Sequence, residues 1–371
     1  MSVSILVIAF LHPKKDKRVM RTVEALSSIV NVDYIYWSGN ESEHHSEGSV
    51  TFHPVLHHIN KHSNVRELIS RRTHEAKMIE IACSLRPELV YIHHFATVIP
   101  LEIYKRFWKM KVPIITDFHE YVPEEFLFGV NAIPKTIKTN YAKSFYRKML
   151  FKSAGAVFVS KWMIDDAKAI NPSLKTLWIP NYGDSSVETL PKERRNKEIV
   201  FVGSVRRNLE KERELLTCLR KKRYEFTTIG SSPLEGISGK SIPFLKYGEM
   251  IRRISQASFS IISFSSTDAG GKPLLNYVHS MPNKFFDSVV SGTPIIVDKR
   301  FEDIAQMVER DNLGIVIDRN SPEESAERID HIWEERYDAL LKAIDKNKNS
   351  FLWEESKRRE FLEFVQDIMK S

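Results

Sequence analysis

In the segment MPNKFFDSVVSGTPIIVD, residues 281 to 298, Lys284 and Asp287 lie three positions apart. On a helix opened by Pro282 and Asn283 they share one face, one turn from each other. A lysine beside the exposed N–H groups of a helix amino terminus suits a diphosphate, and a carboxylate one turn later can accept hydrogen bonds from ribose hydroxyls. The same spacing also makes an ordinary surface ion pair. Gly203 ends the apolar run EIVFVG and is followed by Arg206 and Arg207. A glycine there lets backbone approach a ligand, and the arginines can take phosphate oxygens bidentately, although a solvated loop would look alike. A second set of polar groups, Asp117, His119 and Glu120, follows the run VPIITDF, and His12 and Asp16 follow SILVIAF. An imidazole flanked by carboxylates at a strand's carboxyl end is a candidate for acid–base or hydrogen-bonding chemistry.

Other signatures are absent or poor. The chain has no GxGxxG turn and no GxxxxGK[ST] loop, and GGKP at 270 to 273 has proline where a phosphate loop needs Ser or Thr. His53, His57, His58 and His62 have spacings that one helical face could use for a metal, but Pro54 interrupts them and no acidic residue lies among them. Cys83 and Cys218 are far apart and give no disulfide or cysteine metal site.

These residues are spread over an alternation of short β-branched runs and longer segments of helical period. The runs at 4–10, 32–37, 89–94, 112–118, 155–160 and 176–181 read as buried parallel strands. A polar stretch without periodicity covers 182–197, and the alternation resumes at 198–203, 224–230, 259–264, 294–298 and 314–318. The pattern predicts two doubly wound α/β domains, 1–182 and 198–350, with ligands in a cleft at the carboxyl ends of the strands, and a final helix at 351–371 with no strand after it.

With 371 residues, 42% hydrophobic and 28% charged, the chain is neither disordered nor a disulfide-stapled mini-protein. The net charge of +7 is unevenly placed: residues 1–182 hold 24 Lys/Arg against 17 Asp/Glu, and residues 183–371 hold 31 of each. An anionic partner is therefore expected at the N-terminal half. Residues 134–152 carry six basic and four aromatic side chains with no acidic one, and KRFWKMK at 105–111 adds more. On a helical projection Ala142, Phe145, Tyr146, Met149 and Leu150 share an arc, with Lys143, Arg147 and Lys148 mostly outside it. That fits either an anionic bilayer surface or a core helix with a basic outer face. The basic residues come with no recognisable nucleic-acid-binding module, so no nucleic acid is expected as a partner.

The sequence resembles the GT-B glycosyltransferases, especially the retaining group around glycosyltransferase family 4. PNKFFDSVVSGTPIIV is similar to that family's nucleotide-sugar helix, turn and strand, DKRV (16–19) to its early D-x-R-V segment, and TDFHEYVPEEF (116–126) to its D-x-H-E segment. VFVSKWM (157–163), IPN (179–181), FVGSVRR (201–207) and the terminal WEESKRREFLEF fall in the family's order, so the resemblance spans nearly the whole chain. It implies two Rossmann-like domains facing a cleft, with the C-terminal helix crossing back to the N-terminal, acceptor-binding domain. It implies transfer of a sugar from a nucleotide-diphosphate sugar to a saccharide or lipid-linked acceptor in bacterial surface polysaccharide synthesis. Gly203, Arg206, Arg207, His279, Asn283, Lys284 and Asp287 would then bind donor. His119, Asp117, Glu120 and Asp16 would be catalytic, and His12, Arg18, Lys143, Arg147 and Lys148 would face acceptor or membrane.

Three departures from the family are visible. Asp287 stands where Glu is usual, His279 occupies the place of a second Glu eight positions upstream, and HPKK replaces a glycine pair after the first strand. Retention would need no protein nucleophile, whereas an inverting relative would take Asp16, Asp117 or Glu120 as base. No metal is expected, since Lys, Arg and helix termini supply the positive charge. Nucleotide-sugar epimerases and non-catalytic membrane-bound scaffolds share the architecture. SILVIAF begins after three residues without a basic leader, and the expected place is cytoplasmic, with a peripheral position at the inner face of the plasma membrane as a further expectation.

Overall fold

Runs as apolar as SILVIAF are stable only when covered on both faces, and the computed structural model covers them with helices on parallel sheets. It describes residues 4–39, 44–56, 65–94, 99–126, 133–203, 212–230, 237, 239–263 and 271–370, without the side chains of 65–69. The chain forms two units, Met1–Pro180 with Glu355–Ser371, and Asn181–Glu354.

In the first unit the elements run β1 (Ser4–Pro13), α1 (Lys17–Ser27), β2 (Asn31–Ser38), β3 (His45–Glu47), β4 (Val50–Leu56), α2 (Val65–Leu85) and β5 (Leu89–His94). They continue with α3 (Leu101–Met110), β6 (Ile114–Phe118), α4 (Val122–Glu125), α5 (Lys135–Lys152), β7 (Gly155–Phe158), α6 (Lys161–Ile170) and β8 (Thr176–Trp178). The strands make one eight-stranded sheet in the order β3-β4-β2-β1-β5-β6-β7-β8. Among its pairings β3–β4 is antiparallel and the others are parallel. Ile5 to Phe10 are almost fully buried, as are Leu89 to Ile92 beside them. The C-terminal helix, Glu355–Met369, belongs to this unit: Phe361 packs edge-on against Tyr91 at 5.8 Å, and Lys175 pairs with Asp367 at 2.7 Å. Gly155 permits that approach, because a Cβ there would lie 2.3 Å from Ile368.

The histidines from His53 onward, against which Pro54 spoke as a helical metal-binding face, begin on a strand. Val50–Leu56 is a strand paired with β2, and His53 is buried with Nε2 2.8 Å from Asp33. Val50 and Phe52 lie on one face of the strand and His53 and Val55 on the other, and all four are buried, so no apolar–polar alternation marks it in the sequence. His57, His58 and His62 lie outside the described residues.

The second unit runs β9 (Asn196–Val202), α7 (Arg213–Lys221), β10 (Glu225–Ile229), β11 (Lys240–Ile242), α8 (Tyr247–Ser255), β12 (Ala257–Ile262) and α9 (Leu275–Val278). There follow α10 (Asn283–Val290), β13 (Ile295–Asp298), α11 (Glu302–Arg310), β14 (Gly314–Ile317), α12 (Pro322–Glu335) and α13 (Tyr337–Asn347), and the parallel sheet has the order β11-β10-β9-β12-β13-β14. Ile199 and Phe201 point to one face, where Leu215, Leu219, Ile329 and Trp333 cover them, and Val200 points to the other, against Ile254. The polar stretch after Asn181 is a strap held to this unit. Gly183 exchanges hydrogen bonds with Phe351 and Trp353, and Arg195 donates to the carbonyls of Leu190, Ala257 and Gly292.

Candidate functional site

In the first unit, candidate groups gather at the carboxyl ends of β1, β5 and β6. Between Ala9 and Pro13 the β1–β2 register shifts, and Leu11 takes φ 61°, a left-handed value that a side chain rarely adopts. His12, in this irregular segment, is buried, and its Nδ1 lies 3.2 Å from Asp16. Asp16 caps α1, accepting from the N–H groups of Arg18 and Val19 at 3.0 and 3.2 Å. Burial raises its pKa, but the His12 contact and the Val19 N–H outweigh that and bring it down to about 2. Asp16 is thus held in place as the α1 cap beside His12.

Asp117 and Arg18 are paired with each other. Arg18, expected on the acceptor or membrane side, is buried. Its Nε and Nη2 donate to Asp117 Oδ1 at 3.1 and 2.7 Å, and its Nη1 donates to the Ile179 carbonyl at 2.7 Å. Asp117, expected to be catalytic, is 1% exposed and also accepts from the Tyr91 hydroxyl at 3.0 Å. A carboxylate bound by a guanidinium fork and a phenol holds its neighbours in place.

His119, directly beyond β6, is the more accessible of a hydrogen-bonded imidazole pair: its Nε2 lies 3.0 Å from His93 Nδ1, and its ring centre lies 4.8 Å from that of His12. His93 is fully buried, with Nδ1 3.4 Å from Asp117 Oδ2. Burial pushes the His93 pKa down to about 3 despite the nearby carboxylate, and it pushes His119 well below the ordinary value, with His12 and Arg18 adding to the effect. At neutral pH the pair is uncharged and can donate or accept one hydrogen bond toward a ligand through His119. Glu120 follows at the edge of the cluster, half-buried. His93, Tyr91 and the buried His94 escaped the sequence analysis because LVYIHH reads as a plain buried strand. The doubled histidine at its end was the available signal.

His93, Asp117 and His119 are also the group among the described residues whose possible ligand atoms lie within 4.8 Å of one another. Asp117 is the one anion of the three, and the Arg18 guanidinium already rests on it.

In the second unit, α10 starts at Asn283 with Pro282 in an extended conformation before it and no side-chain cap. Asn283 is exposed. The Lys284 Nζ lies over the Phe201 ring, 4.3 Å from its centre, and donates to the Ser263 carbonyl at 2.9 Å, which places it at the carboxyl ends of β9 and β12. A lysine here opposes the helix dipole, so an anion beside it would be favoured by both the side chain and the N–H groups. Asp287, one turn on, is 5% exposed and accepts from the Tyr247 hydroxyl at 3.0 Å, while the same oxygen of Tyr247 accepts from the Asp184 N–H at 2.9 Å. His279 is directed at Asp303, 2.9 Å away. Gly203, at the end of β9, has φ 110°, and a Cβ there would meet nothing within 4 Å among the described residues. The backbone conformation favours glycine. Arg206 and Arg207 lie outside the described residues, as does part of the GGKP segment.

Buried charges that sequence spacing did not indicate lie in the same unit. Arg319, after β14, lies 2.9 Å from Glu212 and 3.3 Å from Asp298, and Asp298 also accepts from Arg300 at 2.8 Å. Such a network fixes the loops after β13 and β14 relative to the start of α7. Lys143, Arg147 and Lys148 are exposed on α5, whose apolar arc of Ala142, Phe145, Tyr146, Met149 and Leu150 is consumed by the core.

No family model matches the sequence, and no curated protein matches it. Solved structures do. The sucrose-phosphate synthase of Thermosynechococcus elongatus superposes with a TM-score of 0.69 at 11% identity, covering 99% of each chain. An alpha,alpha-trehalose-phosphate synthase (UDP-forming) from Burkholderia vietnamiensis gives 0.65 at 12% identity, covering 99% of this chain and 97% of the other. The lipopolysaccharide outer core galactosyltransferase WaaB gives 0.57 at 11% identity, covering 98% and 99%. Two doubly wound α/β units with a terminal helix returned to the first define the class. The fold is GT-B.

Proposed function

We propose that the chain is a glycosyltransferase that takes a sugar from a nucleotide-diphosphate donor and passes it to a saccharide or lipid-linked acceptor. The observation that carries this reading is Lys284, an ammonium at the uncapped amino end of α10 in a chain matched over its full length by sugar-transferring synthases. Transfer must stabilise a departing diphosphate, which asks for fixed positive charge aimed at the leaving group. Lys284 and the α10 N–H groups supply it, with Arg206 and Arg207 as further candidates. Asp287, braced by Tyr247, is assigned to the ribose side, and His119 to the transferred sugar, as a neutral hydrogen-bonding group held by His93.

The same geometry favours retention. Of the three carboxylates that could act as base in an inverting reaction, Asp117 is held by Arg18 and Asp16 is an ionised helix cap, which leaves Glu120. No metal is given a part, because a cation at His93, Asp117 and His119 would have to share its single carboxylate with Arg18. A role in bacterial surface polysaccharide assembly is the setting we infer, in keeping with the likeness to WaaB.

Incubation with a panel of nucleotide-diphosphate sugars and saccharide acceptors, read by release of nucleotide diphosphate and by NMR of the product anomer, tests this reading. Acceptor-dependent release with the donor's anomeric configuration preserved is expected. Donor consumed without acceptor would replace transfer by epimerisation, and an inverted anomer would transfer the base role to Glu120.

A further inference from the structure

The outer face of α5 carries a feature that sugar transfer does not use. Opposite its buried arc, a 100° projection places Ile137, Tyr141, Ser144, Lys148 and Phe151 in one narrow stripe, at alternating offsets of four and three residues. Ile137 is 59% exposed, Tyr141 47% and Phe151 52%, and Met110 at the end of the adjacent α3 is 37% exposed. Single exposed apolar side chains are ordinary, but a row of them about 21 Å long on one helix needs an explanation.

The row is set among positive charge. α5 has six basic residues and no acidic one, and the whole stretch from 127 to 164 contains no Asp or Glu. Lys143 and Arg147 flank the stripe on one side and Lys152 on the other. The Lys148 and Lys152 ammoniums lie 5.4 and 5.2 Å from the Trp108 ring centre, which extends the patch onto α3, where Lys109 and Lys111 are exposed. Arg147 lies 5.3 Å from the Phe151 ring centre. Lys105 pairs with Glu102 on α3, and among the described residues none of Lys143, Arg147, Lys148 and Lys152 has a carboxylate within salt-bridge distance.

We propose that this face docks on an anionic lipid bilayer, with Ile137, Tyr141 and Phe151 entering the interfacial layer while the four α5 cations meet headgroup phosphates. A second copy of the chain would bring like charges together, and an acidic protein would not need the apolar row. The face differs from the apolar arc visible in the sequence, which is core. Docking is independent of the donor reading, because vesicle binding requires no nucleotide.

Co-sedimentation with phosphatidylglycerol-containing and pure phosphatidylcholine vesicles tests the proposal, on wild type, on Lys143→Gln/Arg147→Gln/Lys148→Gln and on Ile137→Ser/Phe151→Ser. Circular dichroism checks that these exposed changes leave the fold intact, and light scattering reads the oligomeric state. Binding should require the anionic lipid and weaken with salt, falling about 100-fold in the triple variant and about 10-fold or more in the serine variant. Absence of anionic preference would overturn the proposal, as would undiminished binding by the serine variant. A wild-type dimer that the serine pair disperses without any vesicle binding would assign the stripe to self-association instead.

Discussion

Removing one partner of the Arg18–Asp117 pair should destabilise the first unit severely, while removing both should not. Arg18 and Asp117 are 7% and 1% exposed, and their closest contact is 2.7 Å. Asp117→Leu leaves a buried guanidinium with only the Ile179 and Pro180 carbonyls as close acceptors, and Arg18→Met leaves a buried carboxylate with Tyr91 and the imidazole of His93. Truncating one side of such a pair costs about 3–5 kcal/mol. At about 2–4 °C per kcal/mol for a unit of this size, Tm should fall by roughly 6 to 20 °C. In Arg18→Met/Asp117→Leu no charge remains unpaired, and the loss should be smaller than the sum of the single losses by at least about 2 kcal/mol. Urea unfolding followed by circular dichroism at neutral pH, on wild type, both single variants and the double variant, completes the cycle. Additive losses, or single losses below about 1 kcal/mol, would refute the reasoning, since the pair would then behave as a solvated surface contact.

Other expectations follow from particular contacts. Burial holds His93 and His94 down at about 3 against an ordinary 6.5, so the unfolded chain binds more protons between those values. Stability should therefore fall with decreasing pH by up to about 1.4 kcal/mol per pH unit for each histidine; an acid limb unchanged in His93→Gln and His94→Gln would contradict this. Asp16, lowered to about 2, stabilises the fold above the ordinary carboxylate range and loses that effect as pH drops toward its folded value. Asp16→Asn should keep the α1 cap while Asp16→Ala loses about 1 kcal/mol more, as read by urea titration; equal losses would remove the capping role. Gly314→Ala should damage the second unit more than Gly155→Ala damages the first. Its Cβ would meet the Ile295 carbonyl oxygen at 2.0 Å, whereas at Gly155 the obstacle is the mobile tip of Ile368. Thermal melts of the two variants compare them directly.

The long apolar strands were legible in the sequence because parallel strands are buried on both faces and leave unbroken runs, whereas the return of the C-terminal helix came from the family resemblance alone. The short edge strands β3 and β11 were not legible, being largely polar and exposed, nor was the interior β4, where buried positions on both faces leave no apolar–polar alternation around His53 and Pro54. In the second unit, Lys284 and Asp287 could be placed at the start of a helix from Pro282 and Gly292, since proline and glycine constrain the backbone locally. In the first unit the residue types were visible but their roles were not. Asp16 and Asp117 look catalytic in a linear string and Arg18 looks like an acceptor- or membrane-side group, and only the three-dimensional fold shows that Asp16 caps α1 and that the Arg18 guanidinium rests on Asp117. The further partners in these contacts, Tyr91, His93 and the carbonyl of Ile179, are far apart in sequence, and no local pattern connects them.

The central claim is a nucleotide-diphosphate site on α10, and thermal stabilisation of wild type and Lys284→Ala by UDP, GDP, CMP, ADP and dTDP tests it most directly. Lys284 is half-buried at the ends of β9 and β12, so its loss should spare the fold and abolish a selective shift by one nucleotide. A shift of the same size in both proteins, or none with any nucleotide, would contradict the claim.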